Sequence, residues 1–242
     1  MRVGIIGLGA FGQLAARHLK GRLEVVAWDV DAGKRKRASA MGIKFVPLSE
    51  AAGSGVVLLC VPISAMESVL KQIRGMVRPG ALVLDACSVK VLPCKLMRAL
   101  LPKSVEAIGT HPLFGPKSAA NGLVGREIVL CPVRASRKTL AAVKRFLESI
   151  GLHATVMTPA AHDKAMARTQ AIAHLIARAL ERTGFLRERT GLASVRKMQQ
   201  AAEIVGHDSP RLFDDLQKLN PFARADRKKF LKAIISTERE LG

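Results

Sequence analysis

The stretch RVGIIGLGAFG at residues 2–12 constrains this chain more than any other. It joins a run of Val and Ile to three glycines, Gly7, Gly9 and Gly12, in G-x-G-x-x-G spacing, and the helix-period segment FGQLAARHL follows. Each glycine has its own physical task. The first permits a tight turn out of a strand, the second lets backbone approach a pyrophosphate, and the third lets helix and strand pack closely. A helix opening at that point offers unpaired N–H groups and a positive dipole end to phosphate. The pattern is weak alone and gains force from an acid about twenty residues on. Asp29 stands there, closing LEVVAWD. Its carboxylate suits ribose hydroxyls and repels a 2'-phosphate, which favours NAD; the basic run KRKR at 34–37 is the counter-signal for NADP.

The rest of the first two thirds repeats the strand-then-helix theme. Runs of strand length lie at 2–7, 23–28, 55–60, 81–86, 105–110, 126–131 and 153–157, rich in Val, Ile and Leu without alternation. That composition belongs to strands buried on both faces. Helical segments such as SAMESVLKQIRGM and SRKTLAAVKRFLESI separate most of them. Alternation of this kind predicts an α/β fold with a Rossmann-like, doubly wound sheet. After residue 158 no strand-like run appears. Helices are expected over about 160–184, about 192–205, after HDSP and to the end, with Ser209-Pro210 and Asn220-Pro221 as punctuation. The domains read as 1–158, Rossmann-like and dinucleotide-binding, and 159–242, a small all-helical domain.

Composition narrows the class. At 242 residues the chain can bury a sizeable core, and with aromatics at 4% that core is aliphatic. No apolar run approaches the roughly 18 residues of a membrane helix, and the glycine-rich start argues against a signal peptide, so a cytoplasmic location is expected. Cys60, Cys87, Cys94 and Cys131 form no C-x-x-C pair, which leaves them as core thiols and provides no metal site. The net charge of +20 permits contact with nucleic acid or acidic lipid, and equally suits an anionic small-molecule substrate or an organism with a basic proteome. With no basic tail and no aromatic-studded basic stripe, nucleic acid is not the expected partner.

The chemistry-bearing residues gather at strand ends. Val61-Pro62 follows GVVLLC, at the end of a strand where open α/β sheets bind ligands, and joins Gly7, Gly9, Phe11, Gly12 and Asp29 as an expected cofactor contact. The next strand ends in DACSVK, bringing Asp85, Ser88 and Lys90 to its tip. GTHPLFGP then mounts His111 on what reads as a stiff turn held by Pro112 and Pro116. A histidine beside a nicotinamide suits a general base that removes a hydroxyl proton as hydride leaves. Ser88 either orients it or caps the following helix.

The order GLGAFG, Asp29, DACSVK, GTHPLFGP and HDKAMARTQAIAHLIARAL resembles the prephenate/arogenate dehydrogenases of tyrosine biosynthesis, over nearly the whole chain. The resemblance implies NAD(P)-dependent oxidative decarboxylation of a cyclohexadienol, with His111 bonding the C4 hydroxyl, Ser88 as its polar partner, and a homodimer formed through the helical domain. It implies a substrate-side role for His174, and Gln170 shares that helix face. His162 and Asp163 read mainly as capping and helix-dipole residues. Arg196 is the candidate for the substrate carboxylate, by bidentate pairing. Set beside the family's longer members, the chain reads as monofunctional, with a short helical domain. The charge suits prephenate or arogenate, with a slight preference for prephenate, which lacks the ammonium. The alternatives are another β-hydroxyacid-type dehydrogenase or imine reductase on the same architecture, or a dinucleotide-binding protein without catalysis.

Overall fold

The computed structural model describes residues 1–206 and 208–242. The chain divides into two compact units, Met1–Pro159 and Ala160–Gly242. In the first, the order is β1 (Arg2–Ile6), α1 (Ala10–Leu19), β2 (Glu24–Trp28), α2 (Lys34–Ala40), β3 (Lys44–Phe45), α3 (Leu48–Ala52), β4 (Val56–Leu59), α4 (Met66–Ile73), β5 (Leu82–Asp85), α5 (Val91–Leu100), β6 (Glu106–Pro112), β7 (Arg126–Arg134), α6 (Arg137–Ser149) and β8 (Leu152–Val156). The strands form one sheet in the order β3-β2-β1-β4-β5-β6-β7-β8.

The order reverses beside β1: β2 and β3 lie to one side and β4 to β8 to the other, which makes the sheet doubly wound. Neighbours are parallel except β6 and β7, which run antiparallel with His111 opposite Val129 and Pro112 opposite Ile128. The apolar runs explain the sheet. Val3, Ile5, Val25 and Ala27 pack on one face with Ala16 and Ala38 from α1 and α2. Leu82, Ile108, Ile128, Leu130 and Leu152 pack in a second cluster with Leu14 and, from α6, Leu140, Val143 and Leu147.

Two features differ from the sequence expectation in this unit. The short strand β3 had no apolar run to announce it. GTHPLFGP is not wholly a turn: His111 and Pro112 continue β6, because the antiparallel partner β7 supplies a ladder as far as Ile128. Proline at the end of a strand gives up only one donor, so the pairing survives it.

The second unit holds α7 (Pro159–Arg168), which starts at the unit boundary, then α8 (Gln170–Arg182), α9 (Ala193–Gly206), α10 (Pro210–Lys218) and α11 (Ala223–Arg239). The single helix expected over 160–184 is two. Thr169 leaves the helical region at φ −114°, ψ −81°, and its hydroxyl bonds back to the Ala165 carbonyl at 2.8 Å, the local competition that Thr side chains offer a helix. Ser209 caps α10 by accepting the Leu212 N–H, and Pro210 fills the first helical turn. Among the described residues no helix is long and apolar enough to cross a membrane.

Candidate active site

The glycine loop has the form a nucleotide requires. Gly7 sits at φ +97°, a conformation that side chains rarely adopt, and its N–H reaches the Trp28 carbonyl at 2.8 Å. A Cβ on Gly12 would overlap the Gly7 carbonyl oxygen, whereas one on Gly9 would meet nothing within 4 Å. The loop is therefore closed where helix meets strand and open at the N-terminus of α1, where a pyrophosphate would lie. The Phe11 ring packs against Phe114, centroids 6.4 Å apart.

Asp29 follows β2, and its carboxylate is fixed by two backbone donors, Leu8 N–H at 2.6 Å and Asp31 N–H at 2.9 Å. It thus stands against the glycine loop itself. In the basic run that opens α2, Lys34 reaches to within 3.7 Å of Asp31. Arg35 lies 4.9 Å above the Phe45 ring.

Ser88 and His111 belong to the same end of adjacent parallel strands. Asp85 is in register with Gly109, so the loop after β5 and the last residues of β6 emerge side by side. Ser88 lies in that loop, and the cap position of α5 is Lys90, so the capping alternative for Ser88 does not apply. His111 is 3% exposed. Val61 and Pro62 follow β4, next in the sheet, and the Cys87 thiol contacts the Val61 carbonyl at 3.9 Å.

A buried ionic brace underlies these loops. Lys90 donates to the Asp85 carboxylate and, at 2.5 Å, to the Thr110 carbonyl. Asp85 also accepts from Cys87 N–H at 2.9 Å and Thr110 N–H at 3.1 Å, while the Thr110 hydroxyl donates to the Asp85 carbonyl. Burial, the largest single influence, would depress the Lys90 ammonium; the Asp85 carboxylate first, and then Cys87 and Cys94, together offset it and hold its pKa above the ordinary value. Gly109 makes room: a Cβ there would sit 2.5 Å from the Cys94 sulfur and 3.3 Å from an Asp85 oxygen. Sequence reasoning placed Asp85 and Lys90 at the strand tip; the brace to Thr110 depends on contacts twenty or more residues apart. The thiols nearby are core groups, Cys60 and Cys87 being pushed up in pKa by burial first and by Asp85 second.

In the helical unit, His162 and Asp163 lie past the capping positions of α7. They are buried with their side chains 2.7 Å apart, and Asn220 donates to the Asp163 carbonyl at 2.8 Å. Their buried positions inside α7 are not those of capping side chains, and it is the Asp163 backbone carbonyl that Asn220 ties to the α10–α11 connection. Gln170 begins α8, and its Oε1 is buried without a hydrogen-bond partner. One turn on, His174 is 5% exposed, with Nε2 at 3.5 Å from Asp208. Burial, and then the neighbouring Arg178, lower the His174 pKa to about 4, so its ring is neutral at pH 7. Arg196 does not join this group: it is exposed on α9 and does not line the cavity at His174. The basic residue that does is Arg178. Its spacing of four from His174 was the available signal, one shared with any solvated helix face.

Comparison with known proteins follows the same lines. The sequence model of a family described as "Prephenate dehydrogenase, nucleotide-binding domain" matches residues 14–156. A Methanocaldococcus jannaschii protein named probable arogenate/prephenate dehydrogenase is 30% identical over 241 residues, covering 93% of this chain; the chain spans about half of that relative, 53% of its length. Arabidopsis thaliana arogenate dehydrogenase 2, chloroplastic, is 29% identical, covering 100% of this chain and 70% of its own. In fold, the chain is similar to the prephenate dehydrogenase of A. aeolicus, solved with hydroxyphenyl propionate and NAD+. The TM-score is 0.79 at 20% identity, covering 100% of this chain and 90% of that one.

Proposed function

The chain belongs to the prephenate dehydrogenase family, and from that premise we propose that it catalyses the NAD(P)-dependent oxidative decarboxylation of prephenate to 4-hydroxyphenylpyruvate, or of arogenate to tyrosine. The observation that carries this reading is the side-by-side emergence of the Ser88 loop and His111 from adjacent strands, at the sheet end that also bears the glycine loop.

The bound nicotinamide would supply a hydride acceptor. His111 takes the proton of the substrate's C4 hydroxyl as the C4 hydride departs, so the C–O bond becomes a carbonyl. Ser88 orients that hydroxyl or the imidazole. The ring carboxylate then leaves as CO2, its bonding pair enters the ring, and the proton returns to the oxygen of the new phenol. Aromatisation drives the second step. The strand position of His111 limits its motion, so little entropy is lost in aligning it.

For the cofactor, the chain's residues fit a dinucleotide: open space at Gly9, a left-handed Gly7 and the α1 N-terminus. NAD is the favoured form, since the fixed Asp29 carboxylate would repel a 2'-phosphate, while Lys34 and Arg35 already face Asp31 and Phe45. The helical unit is the dimerisation element in this reading; α11 leaves Leu231, Ile234 and Ile235 about half exposed. The decisive test incubates the chain with prephenate or arogenate and NAD+ or NADP+ and follows reduced nicotinamide by absorbance. Cofactor reduction with one of the substrates is the expected result. None with either, in the presence of bound cofactor, would remove the reading.

A further inference from the structure

We infer that Asp85 is a positioning residue for the reaction proposed above: its one carboxylate holds the backbone immediately before Ser88 and immediately before His111, and so sets the separation of those two side chains. The inference rests on that reading of the activity. It goes beyond it by giving a part in turnover to a side chain closed off from solvent.

The backbone ladder stops short of both residues. β5 and β6 stay in parallel register only as far as Asp85 opposite Gly109, and Ser88 and His111 both lie past that point. β7 pairs with β6 through Val129 opposite His111, but on the edge of β6 away from β5. His111 is thereby fixed against β7, and the ladder does not fix it against Ser88. The Asp85 side chain takes over where the ladder ends. One oxygen accepts the Thr110 N–H at 3.1 Å, and Thr110 adjoins His111. The other accepts the Cys87 N–H at 2.9 Å, and Cys87 adjoins Ser88. The Thr110 hydroxyl donates to the Asp85 carbonyl. Lys90 closes the arrangement from the far side of the Ser88 loop, donating to the carboxylate and, at 2.5 Å, to the Thr110 carbonyl. The N–H, C=O and hydroxyl of Thr110 are thus all held by Asp85 and Lys90.

Stability does not by itself account for charges buried here, since apolar side chains of similar volume commonly replace a buried ion pair at no cost or with a gain. What the carboxylate adds is direction. Its oxygens accept along preferred lines, so they fix two backbone segments that apolar contact would let slide. Gly109 leaves the space this needs, a Cβ there lying 3.3 Å from an Asp85 oxygen. Proton removal in step with hydride loss depends on such alignment, and a misplacement of about 1 Å can cost roughly 100-fold in rate.

The test uses the full chain, Thr110→Val, which keeps the side-chain shape and removes the hydroxyl bond, and Thr110→Ser, which keeps the hydroxyl and loses a methyl. Thr110→Val is expected to lower kcat roughly 10- to 100-fold with KM and cofactor affinity near the parent's. Thr110→Ser should recover most of that kcat. A role in packing alone predicts the opposite order, because Ser leaves the larger void. Asp85→Leu combined with Lys90→Met removes the buried charges as a pair and should lose at least as much kcat as Thr110→Val. An unchanged kcat in Thr110→Val, a loss carried by KM instead, or a Thr110→Ser chain as slow as Thr110→Val overturns the proposal. The His111 ring supplies a readout that needs no turnover. Its proton resonance, identified by its absence in His111→Asn, should broaden or divide in Thr110→Val and return to one sharp line in Thr110→Ser. If the parent binds cofactor and reduces it with neither substrate, the activity reading fails. The placement of His111 by Asp85 is then decided by that resonance: the expected change upholds it, and a line unaltered in Thr110→Val removes it.

Discussion

Lys90 and Asp85 form an ion pair in which neither side chain reaches solvent, and the same ammonium reaches across to the Thr110 carbonyl of the neighbouring strand. Desolvating two charges is costly, and the pair holds because each oxygen of Asp85 also accepts a backbone N–H. The brace ties the β5 loop that carries Ser88 to the strand that carries His111.

Breaking one side of this pair leaves a buried charge alone. Lys90→Met is expected to cost about 3–5 kcal/mol of unfolding free energy, and Asp85→Leu combined with Lys90→Met to recover most of it. Urea midpoints of the three proteins measure this. Because the folded Lys90 pKa is raised, the stability that the pair contributes is present below the ordinary lysine value and is lost only as alkaline pH passes the raised one. A single variant as stable as the parent would contradict the brace.

His111 offers a test of chemistry separate from folding. Replacing it by Asn keeps a polar side chain of similar reach and removes the base. Turnover is expected to fall roughly 10²- to 10⁴-fold while cofactor affinity holds. Steady-state rates with either substrate, alongside cofactor titration by fluorescence, give both quantities. Retained turnover would assign the proton to another group.

The glycines separate fold from cofactor in a different way. Gly12→Ala drives a methyl into the Gly7 carbonyl, so the α1–β1 packing must open and stability should drop. Gly9→Ala meets open space in the protein, so its melting temperature should stay near the parent's, and the added methyl is felt only where a pyrophosphate approaches. Thermal melts and cofactor titration of the two variants should therefore diverge. Equal effects of both on stability would remove the distinction.

What the sequence made legible was local. Gly7, Gly9, Gly12 and Asp29 are written at fixed spacing because a turn, a close approach and a strand end are short-range demands. Strand β3 is two residues long and has no period to read. The reversed direction of β7 leaves no mark on an apolar run, and it is this partner that extends β6 through His111 and makes a strand out of an apparent turn. His162 and Asp163 looked like caps because charge near a proline commonly marks a helix start; their burial is a matter of tertiary packing, and the bond from Asn220 to the Asp163 carbonyl spans more than fifty residues. Arg178 was hidden for the same reason: helix spacing places it one turn beyond His174, but only the fold brings Phe213, Glu203 and Asp208 around it.

His174 should reveal its setting through pH. Its ordinary value of 6.5 is lowered to about 4 in the folded chain, by burial first and by Arg178 second. Between these values the unfolded chain binds a proton that the folded chain refuses. Stability therefore rises with pH across that window and is lost as pH falls from about 6.5 towards about 4. With allowance for solvent screening, the loss from this one group is on the order of 2 kcal/mol. His174→Gln keeps a hydrogen-bonding side chain and removes the titration. The difference in unfolding free energy between parent and variant, measured by denaturant at several pH values, should thus change steadily through the window and level off above it. A difference that stays constant with pH would mean that His174 is protonated as readily in the folded chain as in the unfolded one.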